Sequence, residues 1–549
     1  MNQETWHSLV PNYDIYDTQI NQFSEIASPS FWCAQKRLQQ SLTAFTTSNA
    51  SKICLINAPD NALYRRLIHS QLQTLTDKPI LGTESNDIKE ILGYYSVSDS
   101  GELCTYRPGL LANAHNGLII ISATLLLKNG DNWPLIKAAL MQNELSPLNV
   151  TAKNVLSTPI VETTHAQVVV VGDRNQLADL DFIEPDLLTG FGMFGELELE
   201  LALNSQSIQQ YLSFIKWLEQ EYALPSISPN GIHSLMNASA RFTEDQNYMS
   251  LDVLWNRALL IEASTNMAEQ KQIDANDIEL ALNHRYQREN YLPERALSDI
   301  LDGQVIIETD GERVGQVNGL TVVDIPGHPL AYGEPARISC VIHFGDGDIA
   351  DVERKAELGG NLHAKGMMIM QAFVSSALNL DEPLPYSASV VFEQSYCEVD
   401  GDSASLAELC SFVSALSEYP INQQIAVTGA VDQFGRVQAV GGLNEKIEGF
   451  YRVCQHQGLT GHQGVILPKS NLKHLALNND VIHSIKNGDF HIWSVSNVDE
   501  AIPLIMGKPF RGEDNSSVIS KIAERIENYE KHEHPPTIVE RIKNWFVKH

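Results

Sequence analysis

Three short and nearly unbroken apolar runs, Ser51 to Asn57, Gly117 to Ile121 and Val168 to Gly172, most narrow what the first half of this chain can fold into. Each has the length of a strand and reads as a buried one. The helix-like stretch Leu63 to His69 follows the first run. Strand, helix, strand order predicts a parallel α/β sheet. The loop after the first strand, Ala58 to Arg65, is not a phosphate cradle, because it lacks the glycines and the Gly-Lys-Ser/Thr ending that hold a nucleotide. The only Gly-Lys pair in the chain is Gly507-Lys508, followed by proline. After the second run stand Ser122 and Ala123, where magnesium would need an acidic pair. An unorthodox nucleotide site on Arg65 or Arg66 is the alternative.

The last third carries the chemistry. Ala388 to Phe392 reads as a strand, the stretch Asp400-Gly401-Asp402-Ser403 breaks it, and Leu406, Leu409, Val413 and Leu416 then recur at helical spacing. Ser403 therefore falls where a turn enters a helix, with backbone N–H groups nearby that can hold an oxyanion. Gln424 to Thr428 reads as another strand, running through a turn at Asp432 to Gly435 into Arg436 to Val440. Gly441-Gly442 opens a helix with Leu443, Ile447, Phe450 and Cys454 on one side, and Lys446 lies in its first turn. A serine hydroxyl needs a base, and a neutral lysine amine is one. Helix N-termini and apolar surroundings both disfavour the ammonium. Bringing a lysine from about 10.4 to between 7 and 8 asks the site for roughly 3 to 5 kcal/mol. The plain structural alternative makes Ser403 a helix cap and Lys446 a solvated charge.

Other chemistries fit less well. Gly401-Asp402-Ser403-Ala404-Ser405 lacks the last glycine of a nucleophile elbow. His456, His462, His474 and His483 have no supporting motif, and there is no H-E-x-x-H or C-x-x-C. His532-Glu533-His534 is at most a weak chelator, so neither metal nor cofactor is expected.

The motifs Phe392-Glu393-Gln394-Ser395-Tyr396, Gly401 to Ser405, Thr428-Gly429 and Gly441-Gly442-Leu443-Asn444-Glu445-Lys446 resemble the proteolytic domain of Lon proteases, in particular the archaeal-type LonB branch. Gly315 to Leu320 and Gly360 to Gly366 have counterparts there too, and the likeness covers roughly residues 298 to 510. The resemblance implies that Ser403 is the nucleophile, Lys446 the general base, Thr428 the residue that orients the lysine, and Asp400 a supporting acid. It also implies an AAA-type ATPase module in the first half, here degenerate. The expected layout is an α/β multidomain chain. It has an AAA-like parallel α/β domain over 1–225, a small helical lid over 226–297, an α+β proteolytic domain over 298–510 and a charged helical tail over 511–549.

At 549 residues the chain is long enough for three or four domains. Its net charge of −30 argues against nucleic acid as a partner. The start lacks a basic-then-apolar leader, and the longest apolar run, Gly117 to Leu127, is too short to span a bilayer. Archaeal-type Lon proteins usually carry a membrane segment, so this chain departs from them. Its seven scattered cysteines suit a reducing cytoplasm. The expected function is an ATP-independent serine endopeptidase acting on peptides and unfolded or damaged proteins, assembled as a hexameric ring. The alternative is a non-catalytic assembly or adaptor protein of the same shape.

Overall fold

The computed structural model describes residues 2–48, 51–151, 154–187, 189–267, 272–345, 347–379, 384–394, 401–512 and 516–533. They form two compact units, one made of residues 26–201 and 209–220 and the other of 1–25, 202–208 and 221–549.

In the first unit the expected strands appear as β1 (Ile53–Asn57), β3 (Leu118–Ser122) and β4 (Gln167–Gly172), joined by β2 (Ile80–Gly82) and β5 (Gly192–Glu196). Their order is β5-β1-β4-β3-β2, with every neighbouring pair parallel. Strands β3 and β4 are buried at every position, which is why the sequence shows runs rather than alternation there. Helix α1 (Ala62–Leu75) follows β1, α2 (Ala123–Leu127) follows β3 and α3 (Arg174–Ile183) follows β4. Helix α1 starts where it does because the Asn61 side chain accepts from the N–H groups of Leu63 and Tyr64.

The second unit begins its helical part with α4 (Pro229–Thr243), α5 (Val253–Asn266) and α6 (Ala275–Glu289), capped by Ser228, Asp252 and Asp274 respectively. Helix α7 (Tyr291–Leu301) leads into a seven-stranded sheet. Its strands are β6 (Gln316–Val323), β7 (Tyr332–Phe344), β8 (Ile349–Asp351), β9 (Tyr386–Phe392), β10 (Ile425–Val427), β13 (Gln463–Pro468) and β14 (Phe490–Val495). The order is β8-β9-β7-β6-β10-β13-β14, antiparallel across β9-β7-β6 and parallel elsewhere. The expected hairpin is made by β11 (Ala430–Val431) and β12 (Val437–Gln438), set off from β10 by Thr428-Gly429.

The short helix α8 (Val352–Lys355) follows β8, and α9 (Asn361–Ala377), α10 (Ser405–Ser417) and α11 (Leu443–Gln457) pack on the sheet. Every residue of α10 is buried. The last described helix, α12 (Val518–Glu533), puts Val518, Ile522 and Ile526 into the same core as Leu409, Val413 and Leu416. That segment begins inside the stretch expected as a charged tail, yet it helps bury α10. The opening residues, expected with the first α/β domain, also pack in the second unit. Glu4 N–H donates to Ile492 O at 2.9 Å, and Leu9 is buried with Ile447 and Phe450. No helix among the described residues is long and apolar enough to cross a membrane.

Helix α11 rests directly on the backbone of β7. A Cβ on Gly449 would lie 2.1 Å from Gly333 O, and one on Gly333 would lie 2.0 Å from Glu445 O. Backbone cannot give way as a flexible side chain can, so Gly449→Ala is expected to destabilise the fold by about 3 kcal/mol. A urea midpoint that does not move would show that α11 tolerates a gap from the strand.

Candidate active site

Ser403 lies two residues ahead of α10, Thr428 directly follows β10, and Lys446 occupies the first turn of α11. Thr428 joins the three. Lys446 Nζ donates to Thr428 Oγ1 at 3.4 Å, and that hydroxyl lies 3.3 Å from the Ser403 carbonyl, to which it donates. The Gly429 N–H donates to the same carbonyl at 2.9 Å. The backbone carrying Ser403 is thus fastened to the end of β10, with its side chain half-buried.

Gly442 sets the entry to α11 with φ +65°, and a Cβ there would lie 2.5 Å from Val322 Cγ2, so glycine is needed on both counts. The helix then puts Lys446 among its buried positions, with 3% of the residue exposed. Burial pushes the ammonium pKa down to about 8, outweighing Asp402 and Glu445, whose negative charges act upward. The pull of Glu445 is shared with Arg241 of α4, 2.9 Å away, which also binds Glu448.

The neighbouring hydroxyl has a different task. Ser405 is buried and its Oγ accepts from the Val431 N–H at 3.0 Å, so it pins the hairpin. Of the backbone N–H groups near Ser403, that of Ser405 donates to Asp402 O and that of Leu406 to Gly429 O. Asp400 lies outside the described residues. His456, His462 and His483 are exposed, and His474 bonds Asn471.

In the first unit, the place where a phosphate loop would stand holds a closed polar network. The Asp60 carboxylate accepts from Ser122 Oγ at 2.6 Å, Thr124 Oγ1 at 3.0 Å and Gln176 Nε2 at 3.0 Å. Arg65 is buried between Asp60 and Glu84, with Nε 3.0 Å from Glu84 Oε1. An anion there would meet a carboxylate, an arginine already engaged twice and a helix end capped by Asn61.

Along 99% of its length the chain aligns with the "Putative Lon protease homolog" of Escherichia coli (strain K12), at 37% identity over 597 positions and 98% of that protein. The chain belongs to the Lon protease family. A relative of the same description in Haemophilus influenzae is 39% identical over 77% of this chain and 70% of its own length. The "Archaeal Lon protease" of Pyrococcus abyssi is 25% identical over 78% of this chain but only 42% of its own length. Family models place the Lon protease (S16) C-terminal proteolytic domain at residues 392–508, the LonB-like AAA domain at 79–198 and the archaeal LonB AAA+ ATPase lid domain at 226–288.

The fold is accordingly a parallel AAA-like α/β domain, a helical lid region and a Lon proteolytic domain, and the chain's function class is proteolysis. Ser403, Thr428 and Lys446 all fall within the proteolytic match. Sequence reading missed Arg241, which holds the first turn of the lysine's helix in this Lon-family chain. No motif links positions 241 and 445, and only the long Arg241 side chain reaching from α4 to Glu445 and Glu448 brings them together.

Proposed function

We propose that this Lon-family chain is a serine endopeptidase using Ser403 as nucleophile and Lys446 as general base, without ATP hydrolysis. The observation that carries the reading is a buried lysine tied through Thr428 to the backbone of Ser403, with its pKa pushed down to about 8. In its neutral form Lys446 Nζ takes the Ser403 hydroxyl proton as Oγ attacks the peptide carbonyl. The resulting ammonium then returns that proton to the departing amine, and water repeats the sequence on the acyl-enzyme. Thr428 keeps Nζ aimed, and Asp400 is the supporting acid. Peptides and unfolded or damaged proteins are the substrates, cut inside a six-membered ring in the cytoplasm.

The Asp60 network supports ATP independence, since it fills the phosphate position with a carboxylate. Peptide cleavage should be indifferent to ATP and magnesium, and a loosely folded protein should be degraded while a stable one survives. ATP turnover, calorimetry with magnesium-ATP and degradation of one substrate in folded and unfolded form test this together. Micromolar ATP binding, or ATP-stimulated loss of the folded form, would sink the ATP-independent reading. A serine-directed phosphonate separates the peptidase from a non-catalytic adaptor, because only the former is labelled at Ser403.

A further inference from the structure

Beneath α10, a second polar cluster stands apart from the residues assigned to peptide cleavage. Asp351 ends β8, Glu353 lies in α8, His363 in α9 and Glu408 in α10, all nine-tenths or more buried. Asp351, Glu353 and His363 each offer one donor atom, and the three atoms lie within 4.8 Å of one another. A tetrahedral ion with bonds of about 2.1 Å holds its ligands about 3.4 Å apart, so the side chains need only a modest closure.

Each of the three is also oriented by a further partner. Asp351 Oδ1 accepts from the Arg354 N–H at 3.2 Å, and Glu353 Oε1 accepts from the Phe392 N–H at 3.0 Å. The imidazole has Asp351 3.2 Å from Nε2 and Glu408 3.4 Å from Nδ1. A carboxylate on the far nitrogen is how metal-ligating histidines are commonly held. The two oxygens at those distances, Asp351 Oδ2 and Glu408 Oε1, are buried and face the imidazole without making a hydrogen bond to any group among the described residues.

The charges point the same way. Three buried carboxylates surround one imidazole. A dication would balance Asp351 and Glu353 and leave His363 neutral, its Nδ1–H turned to Glu408.

We infer that Asp351, Glu353 and His363 form a structural divalent-cation site, with Glu408 fixing the imidazole, that ties β8, α8 and α9 to the helix following Ser403. One nitrogen with two carboxylate oxygens suits Zn2+ better than Mg2+ or Ca2+, which prefer all-oxygen shells. The inference does not rest on the peptidase reading.

The test uses the full chain with His532→Ala and His534→Ala to remove the tail chelator, dialysed against EDTA. Titration with zinc chloride should give one ion per chain, a higher melting temperature, and affinity at least tenfold above that for magnesium. Co2+ in place of zinc should give the visible absorption of a tetrahedral site, which a purely ionic cluster cannot produce. Affinity should weaken below neutral pH, because His363 must lose its Nε2 proton to bind. His363→Gln should abolish binding, and Glu353→Gln and the gentler Glu408→Gln should weaken it by about 10- to 100-fold. Absence of stoichiometric zinc, or zinc binding unchanged in folded Glu353→Gln and Glu408→Gln proteins, overturns the site.

Discussion

Ser403→Ala should lower peptide and casein cleavage by roughly 10^4- to 10^6-fold, to the background rate, and abolish phosphonate labelling. The fold should survive unchanged. The bonds that hold this turn, from Thr428 Oγ1 and the Gly429 N–H, both end on the Ser403 carbonyl rather than on its hydroxyl. Alanine keeps that carbonyl and every bond to it. Melting temperature and assembly size are therefore the controls that make the activity loss interpretable. Undiminished cleavage by the purified variant would return Ser403 to the role of a turn residue. Label retained by a folded variant would point to another nucleophile, though not to Ser405, whose Oγ is buried on the Val431 N–H.

What was legible in the sequence was what local pattern determines. The runs at β1, β3 and β4 showed themselves because strands covered on both faces have no polar face to interrupt them. Gly442 marked the start of α11 because that backbone position tolerates little else. The AAA-like sheet and the Lon proteolytic domain were accordingly expected, and the family match bears them out.

Helix α10 was only half legible. Leu406, Leu409, Val413 and Leu416 gave one apolar face, but Ser411 and Ser417 are equally buried. Their hydroxyls donate to the carbonyls of Glu408 and Val413, at 2.8 and 2.7 Å, so residues that look solvent-facing are satisfied in place.

What could not be read was any feature built from distant positions. The opening residues join the second unit through the Glu4 N–H on Ile492 O, the Asn2 and Leu9 carbonyls on the Ser494 and Leu477 N–H groups, and the buried Leu9 side chain, all with partners far along the chain. The Asp60 network draws on the loop after β1, the α2 turn and α3, and its meaning depends on side chains meeting across strand ends. The cluster around His363 spans four elements and 58 positions from Asp351 to Glu408, with no spacing that resembles a ligand motif. Sequence showed where the nucleophile candidate lies, but not what supports the helix behind it.

Lys446→Arg should cost activity almost as much as losing the serine, at least about a thousandfold. Arginine keeps the charge but not the chemistry, since a guanidinium does not release its proton at usable pH. Wild-type kcat/KM should rise about tenfold between pH 7 and 9, as the lysine titrates through about 8. A profile governed by a group near 6 would implicate histidine instead. The same shift has a consequence for stability. The folded pKa lies below the unfolded value, so between them the unfolded chain binds more protons and stability rises with pH. At pH 7 the buried ammonium therefore works against folding, by about 3 kcal/mol on the pKa shift alone. Lys446→Met, of similar length and uncharged, should be inactive yet more stable by about 2 kcal/mol at pH 7, after allowing for the lost bond to Thr428. That gain should shrink as pH rises from 8 toward 10. A variant less stable at every pH would mean the lysine is held for packing, and one that keeps its activity would mean the base lies elsewhere.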